Sequence, residues 1–294
     1  MIYFFPMEFK YYSVNEINKF IADNGLSINK KFGQNFLINA GVADTIIRKL
    51  DPGKDHVIVE IGCGLGSLTN KLTATGNRII GFEIDIAYIR HLKKIFGSMK
   101  NFHLIEGDFL KKLPELKTIL KPGSKVIFTG NLPYYITTPI MESIFTADIP
   151  FESACFMVQK EVGSRITANE GTKQYGSLSI FSQFYSDPSI IADVSAGSFY
   201  PKPRVDSAVV LFKKHDRYQS VDKKLFFKLA RSLFINRRKQ LKNNLSISPF
   251  LQGIDKSLIF TALENAGIPL SERGEKLSIE KIILLTSELK KLLK

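Results

Sequence analysis

Hydrophobic and polar positions follow two rhythms along this chain. Short, nearly unbroken apolar runs stand at His56–Ile61, Arg78–Glu83, Phe102–Glu106 and Lys125–Thr129, and each reads as a strand covered on both faces. Around them, Ala40–Leu50, Ser67–Thr75, Ile86–Phe96 and Pro139–Phe145 place apolar residues at helical spacing. Ser13–Asn24 is also predicted to be a helix, since Ser13 and Glu16 stand at capping-box spacing and Gly25 supplies a stop. Further strands are expected at Ala154–Gln159, Ile190–Val194 and Ser207–Phe212. Short apolar strands alternating with helices predict an α/β fold with a mostly parallel, doubly wound, Rossmann-like sheet.

The pattern changes after Phe212. Residues 213–242 hold 11 Lys or Arg against two Asp, and the remainder to Lys294 has helical periodicity broken at Pro249, Gly253, Gly267 and Gly274. The expected organisation is an N-terminal extension and helix over 1–29, an α/β domain over 30–214 and a small all-helical domain over 215–294. Length and composition agree with two globular domains: 294 residues, 44% hydrophobic and 23% charged. The net charge of +13 changes the picture, because it calls for a polyanionic partner. No run approaches the roughly 20 apolar residues that span a bilayer, so the expected partner is nucleic acid and not a membrane. Two cysteines, Cys63 and Cys155, give neither a disulfide framework nor a metal set, which suits a reducing cytoplasm. The apolar opening Met1–Pro6 is too short for a signal peptide and reads as a loosely packed extension or an upstream start.

Candidate chemistry gathers at the ends of the predicted strands. Glu60-Ile61-Gly62-Cys63-Gly64-Leu65-Gly66 follows a strand and opens a helix, where glycines allow a sharp turn and a close ligand. A dinucleotide fingerprint would place its third glycine at position 67, where Ser67 stands. The mismatch disfavours a nicotinamide oxidoreductase and favours S-adenosylmethionine, which has no pyrophosphate to cradle. Glu83 ends the next strand, 17 residues beyond Gly66, where its carboxylate can accept from ribose hydroxyls. Asp108 follows the third strand and can accept from an adenine amino group. Asn131-Leu132-Pro133-Tyr134 follows the fourth. An exocyclic amine on a nucleobase is a poor nucleophile with two N–H donors. The Asn131 side-chain oxygen and the Leu132 carbonyl offer two acceptors for it, Pro133 stiffens the turn, and Tyr134 offers a stacking face.

Taken together these residues resemble the small-subunit ribosomal RNA adenine dimethyltransferases, from about Lys30 to at least Leu245. The matching stretches are Phe32-Gly33-Gln34-Asn35-Phe36-Leu37, the glycine turn, Phe82-Glu83-Ile84-Asp85, Gly107-Asp108 and Asn131-Leu132-Pro133-Tyr134-Tyr135-Ile136. Downstream, Gln159–Val162, Tyr175–Ser179 and Phe199-Tyr200-Pro201-Lys202-Pro203-Arg204-Val205-Asp206-Ser207 match as well. The resemblance implies cofactor contacts at Asn35, Leu37, Gly62, Glu83, Asp108 and Asn131, beside those of the Gly64 turn. It also implies that Phe199 faces Tyr134 across an extruded adenine. Cys63 departs from the family, which commonly has proline there. A sister group that dimethylates large-subunit RNA and confers macrolide resistance usually has Ile where Leu132 stands. Arg237–Leu245 looks like the small-subunit tail.

The implied enzyme transfers methyl groups from S-adenosylmethionine to N6 of adenines, twice per adenine, without a metal. The adenines are expected to be two neighbours in a hairpin loop near the 3′ end of small-subunit RNA. The expected partner is ribosomal RNA within a precursor small-subunit particle, met by a monomer. Arg237, Arg238 and Lys239, within the basic segment, are expected to touch RNA backbone. His56, His91, His103 and His215 are read as structural or solvated. A non-catalytic RNA-binding assembly factor on the same fold is the rival reading from another class.

Overall fold

The computed structural model describes residues 9–26 and 35–293, so Lys30–Gln34 of the resembling stretch lie outside the described residues. In chain order the elements begin α1 (Val14–Asp23), β1 (Phe36–Leu37), α2 (Ala40–Leu50), β2 (His56–Ile61), α3 (Ser67–Thr73) and β3 (Arg78–Glu83). They continue α4 (Ile86–Phe96), β4 (Phe102–Glu106), α5 (Phe109–Ile119), β5 (Lys125–Asn131), α6 (Thr137–Thr146) and β6 (Phe151–Gln159). Then come α7 (Lys160–Ile166), α8 (Ser177–Tyr185), β7 (Ser186–Val194), β8 (Phe199–Tyr200) and β9 (Ser207–Lys214). The helices α9 (Lys223–Ser232), α10 (Leu241–Ser246), α11 (Lys256–Asn265) and α12 (Ile279–Leu292) complete the chain.

Seven strands form one sheet in the order β4-β3-β2-β5-β6-β9-β7, while β1 and β8 pair in a separate antiparallel ladder. Neighbours from β4 to β6 run parallel, and β9 returns antiparallel to β6. The central parallel strands are largely apolar because helices cover both faces: Ile58, Val59, Ile79, Ile80 and Phe128 are all fully buried, whereas the edge strand β4 buries only Ile105. From β2 the chain steps outward to β3 and β4, then crosses back to lay β5 on the other side of β2. Strand order therefore reverses between β2 and β5. Outside the carboxyl ends of such a pair the flanking connections diverge and open a crevice.

The chain divides into two compact units. One runs to Gly163 and resumes over Ser189–Lys214; the other holds Ser164–Pro188 and His215–Lys294. The helical unit thus takes in α8, a segment the sequence reading assigns to the α/β domain. The reason is packing: α8 buries Phe184 against Phe226 of α9, with ring centroids 4.5 Å apart. Among the described residues no helix is long and apolar enough to cross a membrane.

Candidate active site

The crevice is a cavity of about 520 Å³, a size that suits a cofactor or nucleoside. Its wall brings together Asn35, Leu37, Gly62, Gly64, Glu83, Asp108 and Asn131 with Leu132, Pro133 and Tyr134. Each arrives for a local reason. The carboxyl ends of β2, β3 and β5 deliver Gly62, Glu83 and Asn131, and Asp108 stands just beyond β4.

The glycine turn is held by its own backbone and by Glu83. Gly62 and Gly64 take φ of 74° and 54°, and a Cβ on Gly62 would meet nothing within 4 Å, so the main chain there stays open to a ligand. The N–H groups of Gly62 and Cys63 donate to the Phe82 carbonyl at 2.9 and 3.2 Å, and Gly66 N–H closes the turn on the Cys63 carbonyl at 2.9 Å. Glu83 is 6% exposed and accepts three N–H bonds: from Gly64 at 2.7 Å, from Ile84 at 2.8 Å and from Asp85 at 2.9 Å. Burial raises its carboxyl above the ordinary value, and these three donors oppose the rise. Oε1 carries two of the bonds and Oε2 only one, so Oε2 keeps capacity for a ligand hydroxyl.

Asp108 divides its labour. Oδ1 accepts from the Leu110 N–H at 3.0 Å and so caps α5, while Oδ2 has no hydrogen-bond partner among the described residues. Asn131 does the same with its amide: Nδ2 donates to the Asn35 carbonyl at 2.9 Å. A carbonyl can only accept, so the amide orientation is fixed and Oδ1 is left as an acceptor at the cavity wall. Leu132 is 1% exposed, with its N–H given to the Met157 carbonyl at 3.2 Å. Pro133, at φ −57°, leads into a single tight turn over Tyr134–Ile136. The Tyr134 hydroxyl meets the Ser207 hydroxyl at 2.9 Å, and burial raises its phenol.

Phe199 lies apart from the other expected site residues. Its ring is 2% exposed, lies in a core cluster with Leu37, Val194 and Val209, and does not line the cavity. Pairing of β8 with β1 sets Phe199 opposite Leu37 in that ladder, and the ring packs inward. A second aromatic beside Tyr134 on the cavity wall is Tyr135, 60% exposed and not singled out by the sequence pattern. Also missed was Glu60, 1% exposed on the same wall, where the Thr69 hydroxyl donates to it at 2.6 Å. Burial pushes its carboxyl up to about 8. Its place as an acid inside an apolar strand run was the available signal.

Arg237, Arg238 and Lys239 belong to the helical unit. Arg237 donates to the Tyr175 carbonyl and pairs with Glu275 at 3.8 Å, so it is partly spent on its own unit. Arg238 and Lys239 are exposed. Among the described residues no group of three or more His, Cys, Asp or Glu could hold a metal ion.

A sheet of this order, with a glycine turn after its first parallel strand and an acid at the end of the next, defines an α/β methyltransferase of the S-adenosylmethionine-dependent class. The family model for "Ribosomal RNA adenine dimethylase" matches residues 25–288, and the chain belongs to that family. A relative from Halothermothrix orenii, "Ribosomal RNA small subunit methyltransferase A", is 36% identical over 92% of this chain and 91% of its own. The Staphylococcus haemolyticus protein of the same name is 40% identical over 90% of this chain and 91% of its own. Among solved structures, a dimethyladenosine transferase from Plasmodium falciparum superposes with a TM-score of 0.74 at 25% identity, covering 86% of this chain and 96% of that one. The 23S rRNA methyltransferase ErmE shares the fold, with a TM-score of 0.64 at 21% identity over 87% of this chain and 100% of its own.

Proposed function

We propose that this protein transfers methyl groups from S-adenosylmethionine to N6 of adenines in small-subunit ribosomal RNA, twice per adenine, giving N6,N6-dimethyladenosine. The observation that carries the reading is the Asn131 amide. Its nitrogen is tied to Asn35, and its oxygen is left to accept in the cavity that also holds the glycine turn.

Bound there, S-adenosylmethionine supplies a methyl group on a positively charged sulfur, already electrophilic. The residues of the chain do the rest. Glu83 Oε2 would accept a hydrogen bond from a ribose hydroxyl, and Asp108 Oδ2 one from the cofactor's adenine amine. In the first transfer Asn131 Oδ1 and the Leu132 carbonyl grip the two N–H bonds of the target amine, in the second the single N–H that remains, and they favour its pyramidal, reactive form. That contact strengthens as the new C–N bond forms, so it stabilises the transition state more than the ground state. Tyr134, held by Ser207, offers its face to the extruded base, and stacking returns roughly 1–3 kcal/mol against the cost of leaving the helix. The methylated nitrogen is strongly acidic and gives its proton to water.

The natural substrate on this reading is RNA within a precursor small-subunit particle, met in the cytoplasm by a monomer. The test is mass spectrometry of both ribosomal RNAs after incubation of immature particles with this protein and the methyl donor. Dimethyladenosine in small-subunit RNA supports the reading. Product confined to large-subunit RNA, or none on either, contradicts it.

A further inference from the structure

The segment ahead of the sheet wraps the outer side of the glycine turn. Ile17 of α1 is fully buried in one cluster with Phe36, Leu65 and Tyr88. Tyr11 is buried with Cys63, Leu92 and Phe96. Two polar contacts stand out within this apolar cover. The Tyr12 hydroxyl donates to the Ser67 carbonyl at 2.8 Å. His91 of α4, 8% exposed, places Nε2 at 3.2 Å from the Leu65 carbonyl. The carbonyl accepts, so Nε2 carries the hydrogen. The Phe9 and Phe20 rings pack on the His91 ring in T-shaped contacts, each with centroids 4.7 Å away. The surroundings keep both groups in donor form, since burial pushes the Tyr12 phenol up to about 12 and holds the His91 imidazole near 4, hence neutral.

We infer that Tyr12 and His91 are positioning residues for cofactor binding: they fix, from outside, the Leu65 carbonyl of the turn and the Ser67 carbonyl of the first α3 residue, into which the turn runs, while Glu83 fixes the turn from within. The inference rests on the reading that the cavity takes S-adenosylmethionine. Leu65 and Ser67 line that cavity, whereas Tyr12 and His91 do not, so any effect they have passes through the turn. A peptide unit is planar, so holding the Leu65 carbonyl also aims the Gly66 N–H, which closes the turn on Cys63. Glycines at 62, 64 and 66 leave this loop little stiffness of its own, and the aromatic cover restores it. A turn held on both sides binds its ligand without first losing entropy.

The experiment is calorimetric titration of S-adenosylmethionine into the full-length wild type and the variants Tyr12→Phe, His91→Phe and His91→Gln. Methyl transfer is measured beside it at saturating cofactor. Tyr12→Phe, which loses one hydroxyl, is expected to weaken binding about fivefold. His91→Phe is expected to weaken it about tenfold or more, because a buried carbonyl loses its donor. His91→Gln, which can still donate, is expected to recover part of that loss. The turnover number and the KM for RNA are expected to stay at wild-type values, a split that general destabilisation would not produce. Wild-type affinity in both Tyr12→Phe and His91→Phe overturns the inference and leaves the cofactor reading intact. Should His91→Phe fold poorly, Tyr12→Phe alone decides. A wild type that binds no S-adenosylmethionine overturns the cofactor reading, and this inference with it.

Discussion

At position 131 one half of the amide is tied down and the other stands at the cavity wall. Its nitrogen is spent on the Asn35 carbonyl, and that fixes which atom meets the cavity. The local context in the sequence, an Asn before Leu-Pro-Tyr, identifies the residue but not its orientation, because the orienting carbonyl comes from 96 residues away. The same holds for Tyr134, whose hydroxyl is met by Ser207 from the far end of another matching stretch. Phe199 shows the converse: the residue type was legible, yet its burial depends on a two-stranded ladder too short to leave a pattern. Glu60 was legible only as an acid inside an apolar strand run; its full burial and the Thr69 hydroxyl that meets it come from the fold. Its carboxyl stands at about 8 instead of 4.5 because of burial, with the Thr69 hydroxyl opposing the rise. The folded protein therefore keeps a proton that the unfolded chain has released. Stability from this group is fully present below about 4.5 and is lost as pH rises through about 8. Between pH 6 and 9 the Tm of the wild type is expected to fall roughly 5 °C further than that of Glu60→Gln. Parallel melting curves would exclude a protonated Glu60.

Among the elements, β2, β3 and β4 lie where their apolar runs predict; β2 and β3 are buried on both faces, while β4, at the sheet edge, buries only Ile105. Acids at or just beyond the strand ends also cap the next helix: Asp85 accepts from Ala87 N–H to start α4, and Asp108 from Leu110 N–H to start α5. The helix α5 was not legible, since Pro114 interrupts its pattern; the helix carries that proline inside its span. Likewise α8 is buried on nearly every face, so it has no polar stripe to mark a helical period. At the junction of the glycine turn with α3 the backbone is closely packed. Gly66 takes φ of 89°, and a Cβ there would lie 2.7 Å from the Phe96 ring. Gly66→Ala is expected to lower stability by about 2 kcal/mol and to weaken cofactor binding at least tenfold. Urea unfolding and calorimetric titration would measure the two effects, and an alanine variant equal to wild type in both would contradict this reading of the turn.

For the whole molecule, a net charge of +13 implies that affinity for RNA is largely electrostatic. The logarithm of the binding constant is expected to fall with the logarithm of salt by about 0.9 for each phosphate contacted, and Arg238→Ala with Lys239→Ala to shrink that slope. A slope unchanged by the double substitution, in filter binding across salt concentrations, would remove those two residues from the RNA contact. The chemistry depends on a narrower claim, that the Asn131 oxygen accepts from the target amine during transfer. The most direct measurement is single-turnover methyl transfer by Asn131→Ala on immature small-subunit particles, with cofactor affinity determined on the same preparation. Cofactor binding is expected within a few-fold of wild type, with a transfer rate lower by about 10²–10³. Transfer at close to the wild-type rate would contradict that claim.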